Sequence, residues 1–265
     1  MIETLFVLLT AHFLGDFVLQ TDWMVERKRK LRVLFMHSSL VTATTALILG
    51  NPHWALLLIL FGSHLGMDTL KTYVLPNRTY AFLLDQLVHI GVICVLAYGF
   101  SDVVQSGLWM RSLSPDAQRW YLRMVTFLGG FLLCVPVGGK LIGITTIPLL
   151  EEIKADRSKN RKRNQLRAER EGRGLEDDDD VEGLRKGGRY IGWLERSLVM
   201  LLLLIGQPGG IGFLFAAKSI LRFGEIRDSH QRKVAEYIII GTFLSFGWAL
   251  LTAYLTQQAL TLWRK

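Results

Sequence analysis

Three pairs of residues in the first third of the chain share one spacing: His12 with Asp16, His64 with Asp68, and Asp85 with His89. Four positions apart on a helix, the two side chains of a pair lie on one face. Imidazole and carboxylate one turn apart form a helical chelate, and this donor set suits a divalent ion such as Zn, Mn or Fe. His37 adds a seventh group. The expected metal ligands are therefore His12, Asp16, His37, His64, Asp68, Asp85 and His89. Two other ways of compensating the carboxylates stay open at this point: a proton-sharing His–Asp network, and pairing with Lys71.

The surroundings make the pattern costly. All three pairs lie in apolar runs of about twenty residues, the length that crosses a bilayer core as a helix. An aspartate at the centre of such a helix costs roughly 2.5–3.5 kcal/mol even on a lenient insertion scale. Three left uncompensated would cost about as much as a domain's whole stability. The order of the residues also reverses: two helices read His-then-Asp and the fourth reads Asp-then-His. Antiparallel neighbours sharing one site at a fixed depth would need that reversal. Gln20 and Gln86 are placed to hydrogen-bond the ligands. As catalytic groups the pattern suggests Asp68 and Asp16, one of them a general base for ion-bound water. Lys71 would bind a substrate phosphate or snorkel to the interface.

The 265-residue chain is half hydrophobic, with a mean hydropathy of +0.29. The expected fold class is all-α, a polytopic transmembrane helical bundle of about 7–8 segments. Eight helical segments are predicted, at 2–23, 33–50, 54–75, 80–99, 122–150, 190–206, 210–224 and 235–257. They group into an N-terminal four-helix membrane unit (1–100), an outer loop (101–121), a fifth membrane helix (122–152), a charged cytoplasmic linker (153–189) and C-terminal membrane helices (190–265). No cleavable signal peptide is evident, since Met1–Leu9 lacks a basic segment. Cys94 and Cys134 lie inside apolar runs and are expected as buried free thiols.

The net charge of +8 concentrates between the apolar segments. "ERKRKLR" (26–32) is strongly basic, "GNPH" (50–53) is not, and later loops alternate likewise. By the positive-inside rule the basic loops 24–32, 76–79, 151–189 and 225–234 are cytoplasmic and both termini lie outside. The expected protein crosses its membrane several times with these basic loops on the cytoplasmic side. Within the linker, the basic 157–173 stretch suits anionic lipid and the acidic 176–182 run suits a solvated chain. Nucleic acid is not expected as a partner, because no aromatic interleaving accompanies the charge. His53 and His230 fall in loops and read as surface residues.

In the second half, Glu195 and Lys218 are placed to pair, Arg196, Arg222, Glu225 and Glu236 lie nearby, and the glycines of "GGKLIG" (138–143) and "GGRYIG" (187–192) permit close helix packing.

The motifs "HFLGDFVLQTDWM", "HLGMDTLK", "DQLVH", "GWLERSL", "AAKSILRF" and "AEYIIIGT", with His37, resemble a bacterial and phage membrane-protein family known only as domain of unknown function 3307 (DUF3307). The resemblance runs through the chain apart from loop 100–121 and the charged linker, and it implies no activity. A looser likeness, of residue types alone, links the intramembrane His and Asp to bacterial inner-membrane metal-dependent hydrolases. Three functions of different class follow from the residues: a metal-dependent membrane hydrolase of a phosphoester or lipid-like substrate, a metal-ion or proton transporter or channel, and a non-catalytic scaffold with a structural His/Asp network. No Ser/His/Asp triad, Walker loop or dinucleotide motif is present.

Overall fold

The computed structural model describes residues 1–75, 79–171, 187–223 and 231–264. The turn holding Arg78, the acidic run 176–182, Glu225 and His230 lie outside the described residues, as does the side chain of Arg222. Among the described residues every regular element is helical.

The chain opens with α1 (Ile2–Leu14), which runs into a π-helical turn (Gly15–Leu19) and stops at Gln20, whose backbone is extended. Thr21 then caps the short helix α2 (Asp22–Glu26) by accepting a hydrogen bond from the Met24 amide. The first apolar segment therefore ends four residues before the sequence suggests, because Thr21 is a better N-cap than a helix interior residue. Next come α3 (Leu31–Leu49), α4 (Trp54–Tyr73) and α5 (Thr79–Gly99). Gly50 ends α3 in the left-handed region (φ 59°), with the Trp109 ring packed against it.

The expected outer loop 101–121 is partly helical, a correction to the sequence reading. It contains α6 (Leu108–Ser112) and the start of α7 (Pro115–Leu132). Ser114 caps α7 and Pro115 occupies its first turn, a start signal that the hydropathy of the segment hides. A second π-helical turn (Leu133–Val137) holds Pro136, followed by α8 (Gly138–Thr145) and α9 (Ile147–Glu171). Much of the expected linker is thus the charged continuation of α9. The remaining helices are α10 (Gly187–Leu204), α11 (Gly209–Phe223) and α12 (Gln231–Thr261).

Among the described residues five stretches are long and apolar enough to cross a membrane: Ile2–Leu19, Leu31–Leu49, Thr79–Gly99, Pro115–Thr145 and Arg232–Thr261. The count of 7–8 segments is therefore not reached on this measure. Helix α4 is long enough at 20 residues, but His64, Asp68 and Lys71 reduce its apolar character.

The helices form two compact units, Met1–Val137 with Leu251–Lys265, and Gly138–Leu250. In the first, α1 packs on α3, α5 and α7, α3 packs on α4, and α4 on α5. Thr10 on α1 donates to the Val125 carbonyl of α7 (3.0 Å), and Trp263 donates to Thr126 (2.8 Å). A buried apolar cluster including Val7, Leu8, Leu56, Leu60, Ile93 and Leu96 fills one end of this bundle. In the second unit Arg196 is buried and donates to Ser245 (3.1 Å), with Gly139 and Gly192 against its guanidinium. A Cβ on Gly139 would come within 2.7 Å of that group, so Gly139 makes room for it, whereas a Cβ on Gly143 or Gly188 would meet nothing within 4 Å. Cys134 is buried as expected, whereas Cys94 is exposed on α5; an apolar run gives hydropathy but not which face turns inward.

Candidate metal centre

Four helices deliver the polar residues to one place. His12 comes from α1, Asp16 from the π-helical turn, His37 from α3, His64 and Asp68 from α4, and Asp85 and His89 from α5. The turn at Gly15 lets two backbones approach: a Cβ there would lie 2.8 Å from the Val41 side chain and 3.3 Å from its Cα. Val41 is one turn beyond His37, so this contact sets Asp16 beside His37. π-Helical turns recur at functional sites because the extra residue re-aims the side chains after it.

His37 Nε2 lies 3.2 Å from His64 Nε2. Asp16 Oδ1 stands 3.3 Å from the first nitrogen and 3.4 Å from the second. Asp68 Oδ2 stands 3.5 Å and 3.8 Å from the same two atoms. Tetrahedral ligands bound at about 2.0–2.2 Å stand about 3.3–3.6 Å from one another. The observed 3.2–3.8 Å brackets that range, so these residues could hold an ion, while the His37–His64 contact is also within hydrogen-bond distance.

A second group adjoins the first. His89 Nε2 is 3.3 Å from Asp85 Oδ1, and one ligand atom from each of Asp68, Asp85 and His89 falls within 4.8 Å of the others. The His89 ring stacks on His64 with centroids 4.3 Å apart, and His12 lies 5.3 Å from His89. His12 Nε2 faces Gln86 Oε1 at 3.3 Å, while its Nδ1 is 3.8 Å from Asp16, too long for a hydrogen bond. All seven residues singled out from the sequence are thus brought together.

Each of two carboxylates divides its oxygens between two tasks. Asp68 Oδ1 accepts from Lys28 at 2.9 Å and Asp85 Oδ2 accepts from Lys71 at 2.6 Å. The opposite oxygens, Asp68 Oδ2 and Asp85 Oδ1, are buried without a hydrogen-bond partner, as are Asp16 Oδ1 and His89 Nε2. Buried polar atoms are satisfied in nearly all native structures, so this group of orphans is where an ion or ordered water would be held. Lys71 therefore engages Asp85 instead of standing free for a phosphate. Gln20 lies 2.9 Å from His37 Nε2, and Gln86 donates to Asp85 (3.1 Å).

Lys28 is the participant that sequence reading missed. It sits among five basic residues whose common explanation is topology, and nothing local distinguishes it from Arg27, Arg29 or Lys30. The available signal was charge balance, because three intramembrane aspartates faced only Lys71. His53, read as a surface residue, instead caps α4 and packs on Phe100 with centroids 4.9 Å apart.

Access is one-sided. Leu8, Val41, Leu60 and Ile93 each lie one turn from His12, His37, His64 and His89 respectively, all buried, and form an apolar floor. Toward the other end the side chains of Asp16, Lys28 and Lys71 retain 10%, 16% and 27% exposure.

Residues 4–114 match the model of a family described as a protein of unknown function, DUF3307. This DUF3307 region contains every residue of the centre, including Lys28, Gln20 and Gln86. The match ends before "GWLERSL", "AAKSILRF" and "AEYIIIGT", so it covers less of the chain than the motifs suggest. No curated protein and no solved structure matches the chain.

Proposed function

We propose that the DUF3307 region binds a divalent ion through His37, His64 and Asp68 and uses it to hydrolyse a phosphoester or lipid-like substrate at the membrane. The observation that carries this reading is the set of three overlapping His/Asp groups whose ligand atoms lie within 4.8 Å of one another, with Asp16 Oδ1, Asp68 Oδ2, Asp85 Oδ1 and His89 Nε2 buried among them without a hydrogen-bond partner. Two imidazoles and a carboxylate leave a fourth position open, the pattern of catalytic rather than structural zinc-type sites. Asp16 stands at that position and is more exposed than Asp68 or Asp85. With an ion held by these residues, Asp16 would be the group placed to accept a proton from water as general base, and the ion would supply the lowered pKa of that water. Asp85 and His89 offer a further position sharing Asp68. Lys28 and Lys71 hold the outer oxygens of two carboxylates, leaving their inner oxygens for the ion.

The apolar floor favours hydrolysis over transport, since a pathway needs an exit on both sides. In this reading the protein spans a bacterial cytoplasmic membrane several times, with the mouth and the basic loop 24–32 facing the cytoplasm and the basic part of α9 against anionic lipid headgroups. Cysteines introduced near Asn51 should react with an external impermeant thiol reagent, and cysteines in 24–32 should not. The opposite labelling overturns the orientation.

The function is tested by elemental analysis of protein purified without chelator, followed by turnover of bis-p-nitrophenyl phosphate and a fluorescent phospholipid. Wild type should contain about one equivalent of divalent metal or more and form product, and Asp68→Asn should do neither. Protein without metal refutes the reading. So does metal flux into liposomes that Asp68→Asn abolishes, with no product formed from either substrate.

A further inference from the structure

Beside the centre, α3 and α4 leave an open groove of about 430 Å³ lined by Leu31, Arg32, Phe35, Leu65 and Thr69. We infer that this groove is a binding site for one acyl chain of an anionic phospholipid, with Arg32 holding the lipid phosphate. The inference deepens the proposed hydrolase by naming its substrate class, and rests on it only for the lipid's fate.

The groove has two ends of different chemistry. Arg32 and Thr69 lie at the start of α3 and near the end of α4, and Phe35 and Leu65 lie one turn further into the bundle. Phe35 is 58% exposed and meets Phe61 edge-on with centroids 5.3 Å apart, which continues the apolar wall inward. The polar end lies among interfacial residues. Trp23 is exposed beneath the Arg27 guanidinium, and the Tyr73 hydroxyl donates to the Arg29 carbonyl at 2.6 Å, joining the basic loop to the end of α4. Aromatic and basic residues gathered in this way mark the headgroup level of a membrane. An amphiphile with its phosphate at that level and its chain in the core matches the groove end for end.

Charge selects an anionic lipid. Arg32 lines the polar end, and Arg27, Arg29 and Lys30 precede it in the chain, with Arg27 paired to Glu26, the acid of this stretch. Lys28 is already engaged by Asp68. A zwitterionic headgroup would bring its own cation into this positive field, and an anionic one would not. The same helical turns carry groove and centre: Leu65 follows His64 and Thr69 follows Asp68, so a lipid seated here has its headgroup beside the mouth of the metal site.

The test is equilibrium binding of tail-labelled phosphatidylglycerol and phosphatidylcholine to the detergent-purified full chain. Phosphatidylglycerol should bind more tightly. Arg32→Gln, at an exposed position, should weaken it about ten-fold by removing a charge-assisted hydrogen bond, leaving phosphatidylcholine within about two-fold. Leu65→Trp should weaken both by filling the groove, with unchanged metal content showing that the bundle stays folded. Equal binding of the two lipids, indifference to Arg32→Gln, or equally tight binding of soluble glycerol phosphate overturns the inference. Asp68→Asn separates the two readings: it should keep lipid binding while losing metal, and loss of lipid binding would place the lipid on the ion instead of in the groove. If wild type binds the lipid at Arg32 without cleaving it, the groove stands and the hydrolase falls.

Discussion

The two units each bury charge, and they do so differently. In Gly138–Leu250, Lys218 reaches Glu195 at 2.7 Å and Arg196 donates to Ser245, and among the described residues of this unit no buried side-chain atom lacks a partner. In the first unit all such atoms gather, on Asp16, His37, Ser38, Asp68, Asp85 and His89. The charge count agrees with this. Among the described residues Asp16, Asp68 and Asp85 face two lysines, Lys28 and Lys71, and four histidines, so the third negative charge is left to a metal or to a proton shared with the imidazoles. A one-to-one ion pair completes itself, whereas a cluster with surplus carboxylate and inward-facing imidazoles is built around something else.

The widest separation between the units is expected from metal titration against a chromophoric chelator. Asp68→Asn should lower affinity by at least about 100-fold, since loss of a ligand exceeds the 10–100-fold typical of outer partners. Lys218→Met should leave affinity unchanged. Equal effects would mean that the binding is not local to the cluster. Gln20→Ala tests the next layer, because Gln20 lies 2.9 Å from His37 Nε2. That nitrogen is the one an ion would take, so the amide competes with it. Removing Gln20 should leave affinity unchanged or raise it, while the melting temperature of metal-free protein falls slightly. A loss of about ten-fold or more would show that Gln20 supports the ion instead.

Lys28→Met sharpens the role assigned to surplus charge. It leaves Asp68 buried without its cation, and should destabilise metal-free protein by about 2–3 kcal/mol, below the usual loss for a broken buried pair because Lys28 is partly exposed. The site becomes more negative, so the same variant should gain more stability from added Zn or Mn than wild type does. Thermal unfolding with and without metal reads both effects. A variant whose metal-induced gain is smaller than wild type's would show that Lys28 supports the ion instead of substituting for its charge. Gly15→Ala should cost about 1–3 kcal/mol in the same assay, since its Cβ would crowd Val41 and move Asp16 away from His37.

The comparison also explains what was legible in the sequence. The i, i+4 pairs, their reversed order on α5 and the cost of membrane aspartates were enough to gather His12, Asp16, His37, His64, Asp68, Asp85 and His89. Periodicity and insertion cost are local quantities, and each helix carries its own share. Lys28 was not legible, since its role depends on α2 folding back from Thr21, a tertiary arrangement that a basic loop does not announce. The π-helical turn at Gly15 was hidden for the same reason: its cause is the approach to Val41. Helix α4 shows the opposite effect, because the residues that form the site weaken its signal as a membrane span. The helical start at Ser114–Pro115 carries a capping signal, but the polar residues of its first turns keep it out of the hydropathy pattern.

The smallest effect is expected in the second unit. Lys218 and Glu195 retain 20% and 13% side-chain exposure, so their pair is neither fully desolvated nor fully screened. Removing one partner should cost only about 1–2 kcal/mol, less than a fully buried pair. Replacing both, as Glu195→Leu with Lys218→Met, removes the desolvation of two charges along with their attraction and should return stability to within about 1 kcal/mol of wild type. The double-mutant cycle isolates the coupling between them. Applied to Asp68 and Lys28, the same cycle should not close in this way, because Asp68→Asn with Lys28→Met still leaves Asp16, His37 and His64 arranged around a position that neither replacement fills. Closure at both sites would mean that the two units bury charge for the same structural reason, and the distinction drawn from the unpartnered atoms would fail.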